Sequence, residues 1–181
     1  DSFSIAVANT NDAPTITSTA VTAATEDAAY TYTVTTADVD SGDTVTLTGT
    51  TVPSWATFTA STGVLAGTPL DANVGDNAVV ITASDGDASV TDTFTIAVAN
   101  TNDAPSISST AVTSVNEDAS YSYSIATSDD DSDSSDSWTI TSTSVSWLTL
   151  THTAGASTAT LAGTPANGDV GSHSVTITVA D

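Results

Sequence analysis

The sequence predicts an all-β protein built of two tandem β-sandwiches, and three observations predict it. The first is period-2 alternation of apolar and polar residues, the mark of half-buried strands; no segment sustains the 3.6-residue period of an amphipathic helix. The second is punctuation, since the alternating runs are short and end at Gly, Pro, Asn or Asp, residues that turn the chain. The third is duplication. Residues 1–14, from Asp1 to Pro14, recur as residues 92–105, and Pro14 returns 91 residues on as Pro105. The offset persists downstream, with Glu26 repeated as Glu117, Tyr30 as Tyr121 and Tyr32 as Tyr123. A period this long denotes whole domains in tandem, because solenoid repeats are much shorter.

The strands can be taken in order. Tyr30, Tyr32 and Val34 share one face, with Thr31 and Thr33 on the other. Val45 and Leu47 alternate with Thr44, Thr46 and Thr48. Val79, Ile81 and Ala83 form the next set, Asp85-Gly86-Asp87 a turn, and Phe94, Ile96 and Val98 the closing strand. The second copy repeats this with Tyr121, Tyr123 and Ile125, then Trp138 and Ile140, then Val175, Ile177 and Val179. About seven short strands per copy is the pattern of a sandwich, and Thr and Ser suit their outer faces sterically. The Asn-Asp-Ala-Pro motif marks the module boundary. Residues 11–101 form module 1 and residues 102–181 form module 2. Residues 1–10 then read as the closing strand of a preceding module, and module 2 stops short of its own last strand.

Composition narrows function. The chain has 22 acidic residues, no Lys or Arg, and a formal charge of −22. Nucleic-acid binding is excluded on this ground, since neutralising phosphates dominates such binding. Self-repulsion of this size strains a compact state, so cations are expected to offset it. No Cys is present for a disulfide and no Lys for an isopeptide staple. No apolar run reaches transmembrane length, so no direct membrane insertion is expected. With 39% hydrophobic residues placed periodically, a folded chain is favoured over disorder.

Several motifs carry a family resemblance: Asn-x-Asn-Asp-Ala-Pro at the junctions, Glu26-Asp27-x-x-Tyr30, Pro53-Ser54-Trp55, Thr62-Gly63-x-Leu65-x-Gly67-Thr68-Pro69, Val74-Gly75 and Ala83-Ser84-Asp85-Gly86. Together they resemble bacterial dystroglycan-type cadherin-like modules, the Ig-like tandem repeats of large extracellular proteins. The resemblance covers essentially the whole chain. It implies Greek-key β-sandwiches in an end-to-end array, with Ca²⁺ at each junction. For the junction between modules 1 and 2 it implies Glu26, Asp71, Asn100, Asn102, Asp103, Asp129, Asp131 and Asp181, with Asp27 as a further candidate. For the N-terminal junction it implies Asn9, Asn11, Asp12, Asp38, Asp40 and Asp85; Glu117, Asp118 and Asp169 would face a following module. Asn73 stands where the upper module's pair would carry Glu, which implies fewer or weaker ions than in a full cadherin junction.

The chemistry of these residues agrees without the family. Ca²⁺ takes six to eight hard oxygen ligands, and clustered Asp and Asn supply them. The lack of thiols and of a His cluster disfavours transition metals. The competing reading is that the acids only solvate turns, as Asp commonly does; the extra acids Asp130, Asp133 and Asp136 are taken that way. Asp38-x-Asp40-x-x-Asp43 opens like an EF-hand, but Gly49 occupies position twelve and no helix flanks it.

Trp55 and Trp147 occupy equivalent places and are expected as core anchors between sheets, with a sugar-binding platform as the competing role. His152 and His173 occur only in module 2, so a catalytic device shared by the sister modules is not expected and the chain is read as a non-enzyme. The expected function is an extracellular structural protein, Ca²⁺-stiffened repeats in a fibre, sheath or adhesin stalk. The alternative is a polysaccharide-binding accessory module, which would meet cell-surface glycans. Expected partners are identical subunits or further repeats of the same polypeptide, head to tail. The N-terminal strand, with Phe3, Ile5 and Val7 matching Phe94, Ile96 and Val98, suits the vacancy at the end of module 2. One reading is strand donation between subunits. The other is a segment of a longer polypeptide whose strand completes the preceding module covalently.

Overall fold

Alternating Thr and apolar residues fold into short strands throughout the computed structural model, which describes residues 1–131, 138–143 and 145–181. Asp133 and Asp136, expected as solvated loop, lie outside the described residues. The chain divides into two units, Asp1–Thr101 and Asn102–Asp181.

Unit 1 holds β1 (Thr15–Ile16), β2 (Ala23–Thr25), β3 (Tyr30–Thr33), β4 (Thr36–Ala37), β5 (Thr46–Thr51), β6 (Ala56–Thr59), β7 (Val64–Gly67), β8 (Gly75–Ser84) and β9 (Ser89–Ala99). One sheet has the order β2-β9-β8-β5 and the other β3-β7-β6, with β1 and β4 paired separately. The pairings are antiparallel except that of β2 with β9, which is parallel, Ala23 opposite Ala97. The core lies between the sheets. Tyr30, Tyr32, Val34 and Leu65 face Val79, Ile81, Ile96 and Val98, all buried. The period-2 pattern is thus read out as burial, because successive side chains of a strand point to opposite faces.

The two Gly-Thr-Pro motifs have a steric origin. A Cβ on Gly67 would lie 2.2 Å from the carbonyl oxygen of Trp55, and one on Gly163 would lie 1.9 Å from that of Trp147. Only glycine permits this close approach of neighbouring backbones. Trp55 meets Tyr30 edge-on at 5.6 Å, and Trp147 meets Tyr121 edge-on at 6.0 Å. Both tryptophans pack against their cores rather than standing out as platforms.

Unit 2 holds β10 (Ser106–Ile107), β11 (Tyr121–Ser128), β12 (Thr139–Thr143), β13 (Leu148–His152), β14 (Thr158–Gly163) and β15 (Thr176–Ala180). One sheet has the order β10-β11-β14-β13, and β12 pairs with β15. Among the described residues nothing in unit 2 corresponds to β9, so β15 has one ladder partner where β8 has two. The consequence shows in burial: Val79 is fully buried, whereas its counterpart Val175 is 36% exposed.

Residues 1–14 form no strand, although the alternation predicts one. A strand needs a neighbouring backbone to satisfy its N–H and C=O groups, and among the described residues none pairs with this segment. Phe3, Ile5 and Val7 stand 84, 77 and 91% exposed.

Candidate metal centre

In unit 1 the loop after β4 bends on Asp38, whose Oδ1 accepts the Asp40 backbone N–H at 2.9 Å. This local bond is the reason Asp recurs two residues apart in such turns. Asp40 in turn holds the N-terminal segment, accepting from Asn9 Nδ2 at 2.8 Å and from the Asp12 backbone N–H at 2.6 Å. Asp85, in the turn between β8 and β9, accepts from the backbone N–H groups of Asp87 (2.8 Å) and Ala88 (2.6 Å). Its Oδ2 accepts from Asn11 Nδ2 at 3.1 Å. Asn9, Asn11, Asp12, Asp38, Asp40 and Asp85 therefore share one end of unit 1.

Asp43 completes the cluster. Asp38, Asp40 and Asp43 each bring a carboxylate oxygen within 4.8 Å of the other two. Partial desolvation, followed by the charges of Asp40, Asp38, Asp85 and Asp87, raises the Asp43 carboxyl above its ordinary value. Asp85 goes the other way, lowered chiefly by the bond from Ala88 and then by those from Asp87 and Asn11, against a smaller desolvation effect. The Asp38 Oδ2 oxygen is buried without a hydrogen-bond partner. A three-carboxylate group with an unmet oxygen and no Lys or Arg in the chain has the donor set for a hard cation. Asn9 and Asn11 present amide nitrogens to carboxylates here; a half-turn of each amide would present an oxygen instead.

Unit 2 repeats the Asp-x-Asp turn and its bond to the linker. Asp131, only 3% exposed, accepts the Asp103 backbone N–H through Oδ2, and its own N–H donates to Asp129 Oδ1 at 3.2 Å. Asn102 Nδ2 donates to the Asp103 carbonyl oxygen at 3.0 Å, as Asn11 does to Asp12 at 3.1 Å. Asp129 Oδ2 and Asp131 Oδ1 are buried and lack partners. Asp181, the counterpart of Asp85, is exposed.

At the other end of unit 1, Glu26 is 2% exposed. Its Oε1 accepts the Thr101 backbone N–H at 2.6 Å, while Oε2 is buried and unpartnered. Asn100 is exposed beside it in sequence. Asp71 lies in a 3₁₀ turn, Asp71–Asn73, and is partly buried. Asn73, at the position of the missing Glu, accepts the Leu70 N–H at 2.9 Å. Asp169 plays the same part in the turn Asn167–Asp169, accepting the Ala166 N–H at 2.9 Å. Asp27 and Asp118 adopt φ of 55° and 61°, and each N–H donates at 2.8 Å to a proline carbonyl, Pro69 and Pro165. For these two the backbone conformation is itself a reason for Asp, which tolerates the left-handed region. Glu117 is exposed, unlike Glu26.

Asp43 is the residue that sequence reasoning missed. The signal was present in Asp38-x-Asp40-x-x-Asp43, which fails as an EF-hand but does bring its three carboxylates together.

A family model described as Putative Ig domain matches residues 13–99 and again 104–181. The chain belongs to that family. Among solved structures, this Ig-family chain is similar to extracellular cadherin domains 1–4 of PcdhgB3, at 14% identity and a TM-score of 0.58 over 92% of this chain and 48% of that one. It is also similar to protocadherin gamma B2 cadherin domains 3–6, at 15% identity and a TM-score of 0.57 over 92% and 46%. A variant of the endo-fucoidan hydrolase MfFcnA4 from glycoside hydrolase family 107 shares 30% identity over 93% of this chain and 27% of its own, with a TM-score of 0.44. The chain thus spans about a quarter of that hydrolase and under half of the protocadherin fragments. Among curated proteins none matches. The two units are Ig/cadherin-like β-sandwiches, and the Asp38, Asp40 and Asp43 cluster of unit 1 has the donors to coordinate a metal ion. Among the described residues no helix is long and apolar enough to cross a membrane.

Proposed function

We propose that this chain is an extracellular structural protein of dystroglycan-type cadherin-like repeats, whose acidic sites bind Ca²⁺ and stiffen the linkage of successive modules in a fibre, sheath or adhesin stalk. One observation carries the reading. Among the described residues, the buried carboxylate oxygens without a hydrogen-bond partner belong to Glu26, Asp38, Asp129 and Asp131, all of them ligands implied by the resemblance. An unpaired buried carboxylate oxygen is costly, and no Lys or Arg exists to pair with it. A hard divalent cation removes that cost. Ca²⁺ fits the all-oxygen donor set better than a transition metal does. Extracellular modules typically bind it with Kd around 10⁻⁴–10⁻³ M, a range that suits a site saturated outside cells. Partners in this reading are identical subunits or further repeats, arranged head to tail.

The test is calorimetry and small-angle scattering of the chain in millimolar CaCl₂ and in EGTA. Calcium is expected to raise the melting temperature and to lengthen and sharpen the pair-distance distribution. A melt and scattering curve indifferent to chelator would overturn the proposal.

A further inference from the structure

Asn167 is the one asparagine of the chain followed by a glycine, and it opens the turn Asn167–Asp169 of unit 2. The equivalent turn of unit 1, Asp71–Asn73, has Asp71 in place of Asn167 and Ala72 in place of Gly168. The ordinary reasons for a glycine are absent at Gly168. Its φ is not positive, and a Cβ built on it would meet nothing within 4 Å. Ala72 forms the same turn in unit 1. What glycine does change is access to its own backbone nitrogen, which no side chain shields.

The turn leaves that nitrogen free. Its bonds run from the Asp169 N–H to the Ala166 carbonyl at 2.8 Å and from the Val170 N–H to the Asn167 carbonyl at 3.4 Å. Among the described residues the Gly168 N–H and the Asn167 side-chain amide are held by no hydrogen bond. Both residues are exposed. This exposure belongs to the turn itself, since Ala72 is exposed as well although unit 1 has β9.

Asp85-Gly86, the one Asp-Gly of the chain, provides the contrast. Gly86 has φ of 107°, so the backbone there requires glycine. Its N–H donates to Ser84 Oγ at 3.2 Å, and the Asp85 carboxylate accepts from Asp87, Ala88 and Asn11. At Asp85-Gly86 both the nitrogen and the carboxyl are engaged, whereas at Asn167-Gly168 both partners of the reaction are free.

We propose that Asn167 is a self-modification site that deamidates spontaneously through the Gly168 nitrogen. Hydroxide removes the Gly168 N–H proton, and the nitrogen attacks Cγ of Asn167. The new N–Cγ bond closes a five-membered succinimide as the Cγ–Nδ2 bond breaks, and Nδ2 leaves as ammonia. Water then opens the ring at either carbonyl. One opening gives aspartate, and the other gives isoaspartate, with the main chain running through the former side chain. The sum is amide plus water to carboxylic acid plus ammonia, with no change of oxidation state. The aspartate product places a carboxylate where unit 1 has Asp71 and adds one negative charge to the chain. In the Ca²⁺ reading above, Asp71 stands at a ligand position, so the reaction gives unit 2 a carboxylate there too; that consequence rests on the Ca²⁺ reading, whereas the modification does not.

The test is incubation of the folded full chain at mildly acidic and mildly alkaline pH, followed by chymotryptic peptide mapping and mass spectrometry. The peptide holding Asn167 should exchange NH for O, as a mixture of aspartate and isoaspartate forms, and faster at the higher pH. The aspartate form of the whole chain should co-elute with Asn167→Asp on anion exchange. Gly168→Ala, which Ala72 shows the turn to accept, should slow the conversion by at least about tenfold, a barrier difference of about 1.4 kcal/mol. An Asn167 that persists in the folded chain while a synthetic peptide of residues 163–171 converts overturns the proposal. So does a Gly168→Ala chain that converts at the parent rate, or isomerisation at Asp85-Gly86 as fast as conversion at Asn167. The readout is mass, so it is independent of whether the chain binds Ca²⁺.

Discussion

Asp38→Asn separates a metal ligand from a turn cap, because the two roles predict opposite signs. Asparagine keeps an oxygen that can accept the Asp40 N–H, now 2.9 Å from Asp38 Oδ1, so the turn survives. What disappears is a charge whose carboxylate lies within 4.8 Å of that of Asp40. At that separation two like charges repel by about 1 kcal/mol at the dielectric of water and by about 3 kcal/mol at an effective value near 20. In EGTA the variant should therefore melt higher than the parent, by about 4 °C or more, taking 4–8 °C per kcal/mol for a domain of this size. Calcium reverses the order of benefit. At tenfold excess over Kd one ion adds about 1.4 kcal/mol to the parent. If loss of one anionic ligand weakens binding tenfold, the same calcium adds only about 0.4 kcal/mol to the variant. Differential scanning calorimetry of both chains, each in EGTA and in calcium, reads all four values. A variant that melts lower in EGTA and keeps the full calcium increment would show that Asp38 is a turn residue and that the metal reading of this loop is wrong.

Four further outcomes are expected. Asp43→Asn should raise the melting temperature without metal near pH 7; its folded carboxyl is raised above 3.8, so the ionised form opposes folding, and the gain should fade below that pH. Asp85→Ala has the opposite sign: its carboxyl is lowered, so its stabilisation is present above pH 3.8 and lost as pH falls through the folded value, and melts across pH 2–7 check both. Tyr30 is pushed up to about 12 by burial, with Tyr32 second, so its contribution is complete below pH 10 and disappears as pH rises through 12; Tyr30→Phe should make alkaline unfolding shallower. Gly67→Ala must seat a methyl 2.2 Å from the Trp55 carbonyl oxygen, which costs about 2 kcal/mol or more by overpacking and should lower the melting temperature by at least about 8 °C.

The fold was legible because its signals are local. Tyr30, Tyr32 and Val34 alternate with Thr, and burial follows that alternation residue by residue. Asp40 and Asp85 were legible as a set only through the family resemblance, since they are far apart along the chain and are linked through Asn9, Asn11 and Asp12. Asp43 was not, because its membership depends on how the loop closes rather than on what the residue is. Asp169 and Asn73 look like ligand positions in one dimension, yet each spends a side-chain oxygen on a nearby N–H. Residues 1–10 have the alternation of a strand, but pairing is a property of two segments and cannot be read from one.

The sequence by itself determined the class of fold, the tandem duplication and the acidic, base-free chemistry, because periodicity, repetition and charge are carried by residue order alone. Tertiary structure decided which carboxylate oxygens are buried without partners, because that depends on what the rest of the chain brings alongside. Glu26 and Glu117 show the difference. They open the same Glu-Asp-Ala motif, but one is buried and accepts the Thr101 N–H while the other is exposed.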